Sequence, residues 1–186
     1  MPLRHCGQDP IQWSDLSGGN STTMPTEKRF VVDNMLGKVA KWLRALGFEA
    51  CAVHLKDVQQ LDQYARRGYH LVTRNTRWAG HPATLRVTSD DPREQLQQII
   101  AVLGITPDEV HLLCRCLRCN EPLQPADRAL VAGQVPDYVY ENCSVFHQCP
   151  QCRQVYWAGS HLPRMHDWLH ATLGWKFPSV VQGGSP

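Results

Sequence analysis

Two C-x2-C pairs, Cys116-Leu-Arg-Cys119 and Cys149-Pro-Gln-Cys152, occur with 29 residues between Cys119 and Cys149. Two tight turns that each present two thiolates supply the four soft ligands a tetrahedral Zn²⁺ takes. Four cysteines close the coordination shell, so the spacing predicts a structural zinc rather than a catalytic one. Cys114, Cys143 and His147 lie near enough in sequence to replace one of the four, and the alternative for the two cysteines is partial burial as small apolar residues. A redox reading, with one pair acting as a thioredoxin-like dithiol, fits less well, because such a dithiol stands alone at a helix N-terminus.

The second candidate chemistry lies in acids that follow short apolar runs. Asp33 follows Phe30-Val31-Val32, Asn75 follows Val72-Thr73, and Asp90 and Asp91 follow Leu85-Arg86-Val87, with Asp57 at the head of a helical pattern. In a parallel α/β sheet such positions share the carboxyl edge, where ligands and metals gather. Two or three carboxylates there would hold Mg²⁺ or Mn²⁺, and the fitting reaction is phosphodiester hydrolysis, in which the metal activates water and stabilises the leaving oxygen. Most of these acids also have a plainer role: Asp33, Asp57 and Asp91 as helix N-caps, and Asp62 on a solvated face, which leaves Asp90 the freer of the 90–91 pair. Lys38, Lys41, Arg44, Arg66, Arg67, Arg74 and Arg77 would form a local positive surface for such a phosphodiester, the alternative being ordinary solvated helix faces.

The elements that must position these groups alternate along the chain. Strands are expected at 30–32, 49–53, 70–73 and 85–87. Helices are expected at 35–47, where Leu36, Val39, Ala40, Leu43 and Leu46 form one stripe, at 57–67, and from Asp91 to Gly104, where Pro92 and Glu94 mark the start. This order predicts an α/β domain with a mainly parallel sheet. Tyr138-Val139-Tyr140 and Val155-Tyr156-Trp157 are expected as strands of a zinc ribbon, with a last helix over 162–173. The resulting division is a disordered leader at 1–28, the α/β domain at 29–108, the ribbon with its C-terminal helix at 109–175, and a flexible tail at 176–186.

Composition narrows the setting. Nineteen basic and seventeen acidic residues leave a formal net charge of +2, so any polyanion-binding surface has to be a local patch. No apolar stretch of about 18 residues exists to span a membrane. The first thirty residues hold no signal-like apolar run, and the expectation is a reducing, cytoplasmic location where clustered cysteines hold metal.

The runs FVVDNMLGKVAKWLRALGFEA, YHLVTRNTR, TSDDPREQL, CLRCNEPL and YVYENCSVFHQCPQCRQVYWAGSH resemble one family over approximately 29–170. It is the PIN-like RNase domain of the mut-seven C-terminal type, with its attached zinc ribbon. The resemblance implies a three-layer PIN-like fold and a metal-dependent ribonuclease activity. It makes Asp33 the first acidic position, Ser89, Asp90 and Asp91 the S-D-D turn, and Cys116, Cys119, Cys149 and Cys152 the zinc ligands. Two departures accompany it. The family's T-R-D after the third strand is Thr73-Arg74-Asn75 here, and its acids at the start of the second helix align with Val58 and Gln59, with Asp57 displaced by one. Asparagine offers a metal a carbonyl oxygen but no charge, and it cannot act as a base. The expectation is therefore a ribonuclease with Asp33, Asp57, Asn75, Asp90 and Asp91 at its site and a partly degraded acid set. In that ribonuclease the ribbon would extend the RNA surface through Arg115, Arg118, Arg153 and Tyr156; the alternative is a pseudo-nuclease that binds RNA or a ribonucleoprotein partner through the ribbon and the basic helix face.

Overall fold

The computed structural model describes residues 28–112, 114–159 and 161–175, and the expected leader and tail lie outside them apart from Lys28. Four parallel strands build the main sheet in the order β2-β1-β3-β4: β1 (Arg29–Asp33), β2 (Glu49–Val53), β3 (Tyr69–Thr73) and β4 (Thr84–Arg86). The strand period of two divides β1 between two cores. Phe30 and Val32 join the core that holds Val39, Leu43, Leu96 and Ile99, whereas Val31 joins Leu61, Leu71 and Trp78 on the other face.

The helices complete three layers. α1 (Gly37–Ala45) follows a single 3-10 turn at Asn34–Leu36 and buries Val39, Ala40 and Leu43. α3 (Pro92–Leu103) lies on the same face and ends at Gly104 in the left-handed conformation. α2 (Val58–Arg66) buries Leu61 against the opposite face. Gly47 ends the α1 turn at φ +100°, where a Cβ would stand 2.5 Å from the His111 oxygen, so the crossing of these two backbones requires glycine. α6 (His161–Leu173), grouped by sequence with the ribbon, buries Leu169 in the α1–α3 core and sets Trp168 5.0 Å from Trp42. The cysteine-rich unit is thus an excursion between α3 and α6.

That unit has its own antiparallel sheet, β5-β6-β7, from β5 (Gln124–Ala126), β6 (Phe146–Gln148) and β7 (Val155–Trp157). Two short helices, α4 (Arg128–Val131) and α5 (Asp137–Asn142), lie between β5 and β6. The strand expected at 138–140 is therefore helix: Pro136 stands at the N-cap, Asp137 in the first turn complements the helix dipole, and of the trio only Val139 is buried. The strands that take its place are three residues long, and Pro125 sits in the edge strand β5, where a missing N–H costs the ladder nothing.

Candidate functional site

Cys116, Cys119, Cys149 and Cys152 bring their sulfurs within 4.8 Å of one another. Each pair sits in a knuckle of the same construction. Cys116 N–H donates to Glu121 O at 2.8 Å and Asn120 N–H to Cys116 O at 3.0 Å; Cys149 N–H donates to Gln154 O and Arg153 N–H to Cys149 O, both at 3.0 Å. The residue after each pair, Asn120 at φ +68° and Arg153 at φ +61°, is left-handed. Cys119 N–H and Cys152 N–H point at the sulfurs of Cys116 (3.4 Å) and Cys149 (3.5 Å). A tetrahedral zinc with Zn–S near 2.3 Å implies sulfur separations of about 3.8 Å, and Cys116 Sγ and Cys152 Sγ stand 3.7 Å apart. The donor set fits Zn²⁺, and four cysteines leave no open position for a substrate.

Electrostatics within the ring are uneven. Burial works to raise the Cys116 thiol, but hydrogen bonds from the Tyr156 hydroxyl and from backbone N–H groups bring it down to about 7. Burial and the neighbouring sulfurs push Cys119 up to about 12. Metal binding needs all four as thiolates and therefore releases protons. Tyr156 OH lies 3.2 Å from Cys116 Sγ and accepts from Leu117 N–H at 3.1 Å, so this residue, expected on an RNA surface, supports the metal centre instead. Arg115 likewise turns inward, donating to Gly47 O (3.3 Å) and Asn120 O (2.7 Å). Cys114, Cys143 and His147 stay outside the tetrad: Cys114 Sγ faces Gly47 O at 3.8 Å, Cys143 packs on the ribbon core, and His147 is half-buried in β6, which lowers its pKa.

At the carboxyl edge of the main sheet a cleft of about 460 Å³ opens between the start of α1 and the turn before α3. Met35, Lys38 and Lys41 line one side, and Arg74, Asp90 and Gln95 line the other. Parallel pairing of β1 with β2 and β3 puts Asp33, the β2–α2 loop, Asn75 and the 89–91 turn at this one edge. Asp33 is 8 % exposed, and it is not the helix cap that its position allows: no cap hydrogen bond forms, and Oδ2 accepts instead from the Thr73 hydroxyl at 2.9 Å.

The other acids are engaged elsewhere. Asp57 caps α2 by accepting from Gln60 N–H at 2.8 Å, and Asp91 caps α3 by accepting from Arg93 N–H at 2.7 Å. Asp90 pairs with Arg74, and Asn75 accepts from Arg77 N–H at 3.0 Å to cap the 3-10 turn at Thr76–Trp78. Asp62, expected in solvent, meets His81 Nε2 at 3.0 Å. Among the described residues the cysteine tetrad is the only converging group of three or more His, Cys, Asp or Glu. The acid set thus does not build a ready Mg²⁺ or Mn²⁺ cage.

Of the expected RNA-binding cations, Lys38, Lys41 and Arg74 reach the cleft. Arg77 is exposed with its guanidinium 4.5 Å from the Trp78 ring. Arg66 and Arg67 end α2 and so lie toward the amino edge of β3, away from the cleft. Arg44 faces inward and is buried, because α1's apolar stripe carries it under the ribbon. Two residues of the site escape sequence reasoning. Thr73 is fully buried, and its hydroxyl both donates to Asp33 and accepts from Asn75 N–H at 3.0 Å. Gln95 is 3 % exposed and fixes the 89–91 turn by donating to Ser89 O at 2.6 Å. The hydroxyl that opens T-R-N at the end of the third strand is the available signal for the first; a lone glutamine on a helix gives none for the second.

No curated protein matches the chain. No helix among the described residues is long and apolar enough to cross a membrane. A family model described as the Mut7-C RNAse domain matches residues 28–169, which covers the parallel sheet, the cleft and both cysteine knuckles. The chain therefore belongs to the Mut7-C RNAse domain family, a ribonuclease-type α/β domain carrying a four-cysteine cluster able to hold a metal such as zinc.

Proposed function

We propose that the chain is a ribonuclease that seats the RNA backbone in the cleft and hydrolyses a phosphodiester beside Asp33. The observation that carries this reading is the pairing of a basic wall, Lys38, Lys41 and Arg74, with one buried, hydrogen-bonded carboxylate at the same sheet edge. The cations neutralise phosphate charge that a chain of net charge +2 does not attract globally. Thr73 holds the Asp33 carboxylate with one oxygen engaged and the other available to orient water. A divalent ion, where bound, activates water and stabilises the leaving oxygen. The described acids offer it a poor cage, since Asp57 and Asp91 serve helix ends, Asp90 serves Arg74 and Asn75 is neutral, so no step is assigned to it.

That same engagement of the acids favours a second reading, a catalytically impaired domain that binds RNA without turning it over. Purified, zinc-loaded protein is incubated with a mixed-sequence single-stranded RNA, with Mn²⁺ or with EDTA, beside Asp33→Ala. Degradation by the wild type and none by the mutant is the expected result; equal degradation by both refutes the assignment of Asp33. Binding without degradation selects the second reading, and Asn75→Asp then tests whether the missing charge limits turnover.

A further inference from the structure

Arg44 is a buried cation without a carboxylate. It is 9 % exposed, and among the described residues no Asp or Glu lies within ion-pair distance of it. Its guanidinium donates to three carbonyl oxygens instead: Nε to Ala50 O at 2.8 Å, and Nη1 to Leu117 O at 2.9 Å and Arg118 O at 3.3 Å. Leu117 and Arg118 are the two residues between the ligands Cys116 and Cys119. Carbonyls satisfy the hydrogen bonds of a guanidinium but not its charge, and an uncompensated buried ion carries a heavy desolvation penalty. Four thiolates around one Zn²⁺ leave two formal negative charges, and the knuckle that bears them is the one Arg44 grips.

The grip is doubled. Asn120, which closes the same knuckle, accepts from Ala50 N–H through Oδ1 at 3.0 Å, so Ala50 is held through its N–H by the knuckle and through its carbonyl by the arginine that grips the knuckle. Arg115 adds a bond to Gly47 O, at the end of α1. On α1 itself, Arg44 lies one turn from Lys41 and two from Lys38, the residues that line the cleft.

We propose that Arg44 is the counter-cation of the metal-loaded cysteine centre and the positioning residue through which metal loading fixes α1, and with it the lysine side of the cleft. The inference concerns the ribbon and stands whether or not the cleft cleaves RNA. Outer-sphere partners of metal ligands change metal affinity by about 10–100-fold when removed, which sets the expected scale.

The test uses the full chain loaded with Zn²⁺ and follows release to a chelator in the wild type, Arg44→Met, Arg44→Lys and Arg118→Met. Arg44→Met is expected to release metal about 10–100-fold faster. Arg44→Lys, which keeps the charge and loses the fork, falls between, and the exposed Arg118 side chain changes release by less than about twofold. With Co²⁺ in place of Zn²⁺, loss of the neighbouring cation shifts the thiolate-to-metal charge-transfer band to longer wavelength in Arg44→Met and not in Arg44→Lys. Amide hydrogen exchange on the wild type needs no variant: stripping the metal is expected to cost α1 and β2 at least about tenfold in protection while α2 and β3 keep theirs. Release from both Arg44 variants within twofold of wild type, an unmoved cobalt band, α1 protection indifferent to metal, or failure to take up Zn²⁺ or Co²⁺ each overturns the proposal.

Discussion

Thr73→Val removes the buried oxygen that holds Asp33 at the carboxyl edge of the sheet and leaves the side chain's shape almost unchanged. Thr73 is fully buried, so no water replaces the lost donor, and Asp33, 8 % exposed, keeps its carboxylate without that partner. A hydrogen bond to a charged acceptor contributes about 1.5–3 kcal/mol. The second bond, accepted from Asn75 N–H at 3.0 Å, is between neutral groups and adds less, about 0–1 kcal/mol. No cavity term arises because the volumes match. The expected loss is therefore about 1.5–4 kcal/mol, against a total of about 5–15 kcal/mol for a typical domain. For a chain of this size each kcal/mol lowers Tm by about 2–4 °C, giving a fall of about 3–16 °C. Urea and thermal unfolding of the zinc-loaded protein measure it, with Asp33→Ala and the double variant completing a cycle. A coupling of about 1–2 kcal/mol between the two positions is expected. A loss below about 0.5 kcal/mol, or the same loss in an Asp33→Ala background, would refute the role of Thr73 as the holder of that carboxylate.

Three further outcomes follow from the same geometry. Lys38→Ala and Lys41→Ala should each weaken single-stranded RNA binding and reduce the salt dependence of log K by about 0.7 for each phosphate no longer neutralised, by fluorescence anisotropy, while Arg66→Ala at the opposite edge changes neither. Tyr69 is held in its neutral form up to about 12, chiefly by burial and then by its 2.5 Å hydrogen bond to Glu49. A raised folded-state pKa means its contribution is complete below about 10, the unfolded value, and is lost as pH rises from about 10 to 12; Tyr69→Phe should flatten that part of the stability profile. Arg153→Asn should stabilise the zinc-loaded protein by about 0.5–1 kcal/mol in urea unfolding, because asparagine tolerates the left-handed conformation that Arg153 adopts at φ +61°.

Periodicity brings the main sheet and its helices into view, because each helix has a continuous apolar face and each strand a short run bounded by a turn. It is less informative in the ribbon. Phe146–Gln148 and Gln124–Ala126 are three residues long, below the length at which alternation means anything, and Tyr138-Val139-Tyr140 carries strand-forming residues inside a helix started by Pro136 and Asp137. The tetrad is legible for a different reason: ligand spacing is imposed by the metal's geometry and survives any surrounding fold. The acids are only half legible. Sequence places Asp33 and Asp91 at strand exits alike, and only the contacts separate a carboxylate held by a neighbouring hydroxyl from one that caps its own helix. Arg44 misleads because its spacing from Lys38 and Lys41 is the spacing of a common face, whereas the ribbon folds back over the end of α1 and encloses it.

The hold on Ala50 has a consequence for solubility. β2 is an outer strand of the parallel sheet, and an outer strand offers its unpaired backbone to any other chain that arrives in extended form. Here the Asn120 amide of the knuckle and the Arg44 guanidinium of α1 occupy the two groups at its second residue, so together they work as a lid on the growing side of the sheet. On the other side the sheet ends in β4, only three residues long, which offers little template. A chain deprived of its metal would therefore uncover the longer margin first, and its self-association should begin there, before the sheet itself melts.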